Sequence, residues 1–185
     1  MNDIIRKIEE LTAKTNELGP FSLWEGYGKQ DIRRPADVCI TKEIGLYLMD
    51  LVCRMNPKLT IEIGAGFGIS GMYLAALNKG QFVTFEANKQ WAKIAQVNLY
   101  HFNGMVIDRP FDVHFLRGSA INLAFIDAIH TEAEVSSQFN AILPFMNNGT
   151  VIIDDIQAVR PWFDGLELPK HIDFNRLGVI ECIPK

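Results

Sequence analysis

The chain has 185 residues, a net charge of −4, 48% hydrophobic and 22% charged residues, which suits one globular domain with a full core. Arg6-Lys7 and Arg33-Arg34 are its only adjacent pairs of cations, which argues against a nucleic-acid partner. No apolar run approaches the ~20 residues of a membrane span, and the start lacks the apolar stretch of a signal peptide, so a cytoplasmic protein with no membrane partner is expected.

Residues 2–17 carry Ile4, Ile5, Ile8 and Leu11 at helical spacing, and Gly19-Pro20 stops that helix. Its apolar face suits either the chain's own sheet or a partner copy, so a homodimer stays open. Residues 20–38 read as an aromatic loop holding Phe21, Trp24 and Tyr27. Thr41 caps a second helix with the face Ile44, Leu48, Leu51 and Val52, and Pro57 closes it. Cys39, Cys53 and Cys182 form no C-x-x-C and are read as free thiols.

Strands and helices then alternate. Strands are predicted at Leu59–Ile63, Phe82–Phe85, Phe111–Leu116, Leu123–Ile126 and Thr150–Ile153. Helices are predicted near Ser70–Leu77, Lys89–His101 and Glu132–Leu143. His171–Phe174 and Gly178–Ile183 read as a closing hairpin, implying one antiparallel edge strand. The fold class is α/β: a doubly wound, mostly parallel seven-stranded sheet with a C-terminal antiparallel hairpin. Residues 1–40 form an N-terminal helix and cap, and residues 41–185 the main domain, in one compact unit.

One junction conflicts with this layout. Only six residues, Arg117–Asn122, separate the third and fourth strands, whereas a parallel crossover takes at least ~10–12. Either a helix is absent there, or a segment is missing, or the third strand is misplaced; a missing segment is the favoured expectation.

The most informative stretch is Glu62-Ile63-Gly64-Ala65-Gly66-Phe67-Gly68, a β-branched strand breaking into glycines before a helix. Glycines so spaced let the backbone turn sharply and approach a ligand. The frame Gly66–Gly71 satisfies G-x-G-x-x-G with Glu86 twenty residues beyond Gly66, a dinucleotide fingerprint. Against that frame, the first glycine after the strand is Gly64, two residues earlier. Glu62 at the strand end would repel a pyrophosphate but suits the ammonium and sulfonium of S-adenosylmethionine. In an open parallel sheet, ligands lie beyond the carboxyl ends of the strands. Glu62, Glu86, Asp127, Asp154 and Asp155 all fall at or near such ends and are expected to share one crevice.

Glu-Ile-Gly-Ala-Gly-Phe-Gly resembles motif I of class I S-adenosylmethionine-dependent methyltransferases. Thr84-Phe85-Glu86-Ala87-Asn88 resembles their second motif, and Arg117-Gly118-Ser119-Ala120 their adenine-contacting segment, with Ser119 in place of the acid. Phe125-Ile126-Asp127-Ala128-Ile129-His130 and Asn148-Gly149 to Asp154-Asp155 resemble the small-molecule, catechol O-methyltransferase-like group. The resemblance spans about residues 40–183 and implies methyl transfer from S-adenosylmethionine to an oxygen of a small molecule. It implies cofactor contacts from Glu62, Gly64, Gly66, Gly68, Glu86, Ser119 and Asp127. It also implies a divalent cation, Mg2+, held by Asp127, Asp154 and Asp155, and His130 as the base, with Asp127 beside it in the catalytic set. Ile129 stands where relatives often carry a second polar residue.

Each assignment has a plainer counterpart. Oxygen ligands suit a hard cation, but Asp154 is equally suited to capping a turn and Asp155 to facing solvent. A histidine at position 130 can take a hydroxyl proton near neutral pH or simply pair with a carboxylate at a helix start. Trp24, Tyr27 and Trp162 suit an acceptor wall or ordinary packing. His101, His114 and His171 are read as structural. Beside the methyltransferase reading stand a degenerate binding module without catalysis, a nicotinamide-dependent oxidoreductase and a macromolecular methyltransferase.

Overall fold

The computed structural model describes residues 1–22, 32–116, 118 and 120–182. Trp24, Tyr27, Arg117 and Ser119 lie outside these residues. Helix α1 (Asn2–Asn16) leads into a short antiparallel pair, β1 (Phe21–Ser22) and β2 (Ile32–Arg33), and a single turn, α2 (Pro35–Val38). Helix α3 (Lys42–Met55) starts at Thr41, whose hydroxyl accepts from the Ile44 N–H. It ends one residue before the expected proline, at Asn56 in the left-handed conformation (φ 46°).

The main body follows as β3 (Leu59–Ile63), α4 (Ile69–Ala76), β4 (Gln81–Phe85), α5 (Lys89–Tyr100), β5 (Met105–Ile107), β6 (Ile121–Ile126), α6 (Glu132–Ile142), β7 (Met146–Ile153), α7 (Arg160–Asp164), β8 (Lys170–Asp173) and β9 (Leu177–Cys182). The seven sheet strands lie in the order β5-β4-β3-β6-β7-β9-β8. The first five are parallel, and β9 runs antiparallel to both β7 and β8. The order reverses between β3 and β6, the topological switch point where such sheets bind ligands.

Two expectations are corrected. The third strand is Met105–Ile107, whereas Val113–Leu116 is a turn of 3-10 helix and Phe111 lies in the loop before it. Residues 108–120 therefore separate β5 from β6, a span that reaches the usual crossover length, so the layout calls for no additional segment. The one antiparallel strand is also not at the edge: β9 is interior, and edge strand β8 runs with the parallel set.

Two apolar layers cover the sheet. One joins Ile8 and Leu11 of α1 to Leu48, Met72, Leu74 and Leu99; the other joins Ile61, Ile63 and Val151 to Phe139 and Phe163. The apolar face of α1 is thus spent on the chain's own core. Among the described residues, no helix is long and apolar enough to cross a membrane, and Cys39, Cys53 and Cys182 are unbridged.

Candidate active site

The carboxyl ends of β3, β4, β6 and β7 open into one cleft of about 960 Å³, at the upper end of the range for small-molecule sites. Glu86, Asp127 and Asp154 each follow directly on the last residue of a strand, which brings them to that end of the sheet.

The glycine loop is fixed from several sides. The Gly64 and Ala65 N–H groups both donate to the Phe85 carbonyl (2.9 and 3.0 Å). Gly66 N–H donates to Glu86 Oε2 and Asn88 N–H to Glu86 Oε1, each at 2.7 Å. Asn98 Nδ2 donates to the Phe67 carbonyl and to Thr15 Oγ1 of α1, both at 2.9 Å. Phe67 packs between Phe21 and Trp91, its ring centroid 5.3 and 4.6 Å from theirs. The N-terminal segment is therefore a brace for the loop. Gly66 (φ 54°) opens on free space in the cleft it lines: a Cβ there meets nothing within 4 Å.

Glu86 is buried at the cleft wall. Burial pushes its carboxyl up to about 7, against the pull of the Asn88, Gly66 and Ala87 amides. Its Oε1 accepts from Asn88 and its Oε2 from Gly66, and the carboxylate keeps acceptor capacity for a hydroxyl.

Glu62 is placed differently from expectation. It is 0% exposed and does not line the cleft. Ser70 Oγ donates to its Oε1 (2.6 Å), and its Oε2, hydrogen-bonded to nothing, sits against Gly71 of α4. The reason is strand alternation: Glu62 shares the face of Thr60 and points under α4, behind the loop. Burial pushes its carboxyl up to about 8, against the Ser70 hydrogen bond. The unfolded chain releases this proton near 4.5 and the folded chain keeps it. The stability penalty is absent below about pH 4.5 and grows as pH rises toward 8, by up to ~1.4 kcal/mol per unit. We expect the melting temperature to fall over that range and to fall less steeply in Glu62→Gln. Parallel curves for the two proteins would remove Glu62 as the cause.

Asp127, His130, Asp154, Asp155 and Arg176 form the second half of the site. His130 Nε2 lies 3.4 Å from Asp127 Oδ1, and its Nδ1 lies 3.4 Å from Asp155 Oδ2. That Nδ1 is buried without a hydrogen-bond partner. Burial works against the charged ring, but the Asp127, Asp155 and Asp154 carboxylates outweigh it and raise the His130 pKa. Burial raises the Asp127 pKa too, opposed by His130.

The expected metal site is not what this arrangement builds. Arg176 Nε donates to Asp154 Oδ1 (2.6 Å) and Nη2 to Asp154 Oδ2 (2.5 Å); Arg176 Nε also lies 3.1 Å from Asp155 Oδ1. Both oxygens of buried Asp154 are committed to a guanidinium, so the three aspartates do not fit a shared divalent cation. Among the described residues, no group of three His, Cys, Asp or Glu side chains is arranged to hold one.

Trp162 stacks edge-on against Phe139 (5.5 Å, 77°) in the core and is a packing residue. Arg176, Cys39 and Phe111 are among the wall residues that the sequence reading did not assign to the site. Phe111 meets Phe85 edge-to-face (5.2 Å, 88°), and burial pushes the Cys39 thiol up to about 12, too high for a nucleophile.

The family described as "Methyltransferase domain" matches residues 61–156, which holds the glycine loop, Glu86, Asp127, His130 and both β7-end aspartates. The chain belongs to this methyltransferase family. No curated protein sequence matches it. Among solved structures, the methyltransferase resembles the Podospora anserina methyltransferase PaMTH1 bound to SAH (TM-score 0.74, 15% identity, covering 95% of this chain and 87% of that one). It also resembles the O-methyltransferase TomG of Streptomyces achromogenes in complex with SAM (0.68, 15%, 95% and 90%). A third is the Bacillus cereus O-methyltransferase in complex with SAH (0.67, 16%, 97% and 91%). At such identities the likeness establishes the fold, that of a class I methyltransferase.

Proposed function

We propose that the methyltransferase moves a methyl group from S-adenosylmethionine to a hydroxyl oxygen of a small-molecule acceptor, with His130 receiving the proton. The observation that carries this reading is the meeting, in one cleft, of a glycine loop tied to Glu86 with the Asp127–His130 pair. Two structural relatives, the O-methyltransferases of Streptomyces achromogenes and Bacillus cereus with SAM or SAH in place, support the donor and the acceptor atom.

S-adenosylmethionine, when bound, supplies a methyl group on a cationic sulfonium, and a cleft walled by carboxylates suits its charge. Glu86 holds the ribose hydroxyls while keeping its two loop amides. Gly66 leaves room for the donor beside the loop, whereas Gly64 and Gly68, expected as further donor contacts, let the loop close against the Asp127–Ala128 backbone and against Ala95 of α5. Gly68 does not line the cleft, and Phe111 offers an apolar wall beyond Glu86. Glu62 acts through Ser70 and α4 by fixing the loop's underside.

On the acceptor side, Asp127 faces one nitrogen of His130, and the unpartnered Nδ1 takes the hydroxyl proton. Asp155, whose Oδ2 lies 3.4 Å from Nδ1, stabilises the ring once it is charged. The remaining task is orientation of donor and acceptor, worth many orders of magnitude in rate. The binding-module reading no longer draws on a short third-to-fourth connection, since residues 108–120 lie between β5 and β6.

The test is a melting titration. At one hundred times its dissociation constant a ligand adds ~2.7 kcal/mol, so S-adenosylmethionine or its demethylated product should raise the melting temperature by about 5–10 °C, and NAD should not. A chain indifferent to the first two would end the methyltransferase reading. Glu86→Ala should then weaken donor binding by ~1–3 kcal/mol by calorimetry; full affinity would take Glu86 out of the donor site.

A further inference from the structure

We propose that Arg176 is the resident cation of this cleft: its guanidinium holds the β7-end aspartates where a divalent cation would otherwise sit, and methyl transfer proceeds without one. This rests on the methyltransferase reading and goes beyond it, because it names what organises the acceptor side.

The geometry carries the inference. Two parallel N–H···O bonds join Arg176 to both oxygens of Asp154 at 2.6 and 2.5 Å, and Asp155 Oδ1 lies 3.1 Å from Nε. The fork matches carboxylate geometry as a lysine cannot. Asp154 is 1% exposed, and a carboxylate so buried requires a fixed partner. A dication reaching the same oxygens must break both charge-assisted bonds and sit against a like charge.

The guanidinium is also held from behind. Arg176 closes the β8–β9 turn, in which Phe174 and Asn175 have φ of 53° and 54° and the Arg176 N–H donates to the Asp173 carbonyl, the tight hairpin form. The Arg176 carbonyl accepts from the Ile156 N–H, just past the aspartates. Tyr47 of α3 donates its hydroxyl to Asp173 (2.5 Å), and Phe174 meets the Tyr47 ring edge-on at 5.3 Å. The hairpin, α3 and the segment after β7 therefore fix one cation in a cleft it shares with His130.

The experiment uses the full chain after chelator treatment, titrated with Mn2+ and followed by electron paramagnetic resonance. We expect wild-type protein to leave the free Mn2+ signal undiminished, to melt at the same temperature with and without the ion, and to turn over undiminished in chelator. Arg176→Ala exposes Asp154 and Asp155 to a cation, and Mn2+ should bind it and raise its melting temperature by several degrees. Arg176→Ala/Asp154→Asn, which lacks both partners and any buried unpaired charge, should ignore Mn2+. Stoichiometric Mn2+ binding by wild-type protein, or turnover lost in chelator and restored by Mg2+, overturns the proposal, as does a folded Arg176→Ala blind to Mn2+. Where that variant does not fold, the wild-type titration decides. Donor binding is measured by calorimetry on the same wild-type sample: its loss brings down the methyltransferase reading and leaves the Mn2+ result standing.

Discussion

Gly64→Ala is expected to lower the melting temperature by about 4–24 °C and to abolish donor binding. Gly64 has φ 97°, and a Cβ placed on it comes within 2.1 Å of the Asp127 carbonyl oxygen and 2.8 Å of the Ala128 Cα. Those atoms are backbone at the end of β6, next to the site aspartate, and have no rotamer to change. Forcing an alanine into this conformation costs about 1–3 kcal/mol, and the overlap costs about as much again or more. For a chain of this size each kcal/mol is worth about 2–4 °C. The relief available is separation of β3 from β6 at the switch point, which opens the donor site. Gly66→Ala is the control: its Cβ meets nothing within 4 Å, so it should cost only ~1–2 kcal/mol of stability while its methyl group, in the cleft, still impairs donor binding. Calorimetry of both variants checks the contrast. A Gly64→Ala protein that melts and binds like Gly66→Ala would mean that the loop does not lie against β6.

The parts of the site carried by local pattern were legible. Each strand-end acid that lines the cleft follows a β-branched run and precedes a helix start, and Asn88 and Thr131 cap α5 and α6 with their side-chain oxygens. Strand alternation was the part underused: counted strictly, Glu62 falls on the face of Thr60 and under α4, away from the cleft. The third strand failed for the opposite reason. Phe111, Val113 and Phe115 alternate with polar residues like a half-buried strand, yet two of them pack from a loop and a 3-10 turn against the second core layer. The true strand, Met105–Ile107, is too short to show any period. Nothing local announces Arg176, a lone cation in a hairpin turn. Only the pairing of β9 with β7, which sets Ile153 opposite Gly178, returns that turn to Asp154. The same pairing puts β9 inside the sheet, because the β7 edge is where the returning chain finds unpaired backbone.

His130→Ala is expected to reduce kcat by ~10²–10⁴-fold, the range of a positioned general base, with the dissociation constant for S-adenosylmethionine changed little. The proposed donor contacts come from the loop and Glu86, whereas the His130 ring nitrogens face Asp127 and Asp155. The split between kcat and donor binding is thus the informative readout. A role confined to structure predicts the reverse, because loss of the ring leaves Asp127 facing Asp155 and Asp154 with Arg176 as their one remaining cation in the cluster. That loss would lower stability and disturb the β6 end against which Gly64 packs, weakening donor binding along with turnover. Asp127→Asn separates the roles further. It keeps the side chain's shape and removes the charge facing Nε2, so it should lower kcat by less than His130→Ala does. In the double variant it should add little, since two residues acting as one unit are not additive. Full turnover in His130→Ala, with the donor bound normally, would remove His130 as the proton acceptor and leave the acceptor hydroxyl to ionise to solvent or to Asp155.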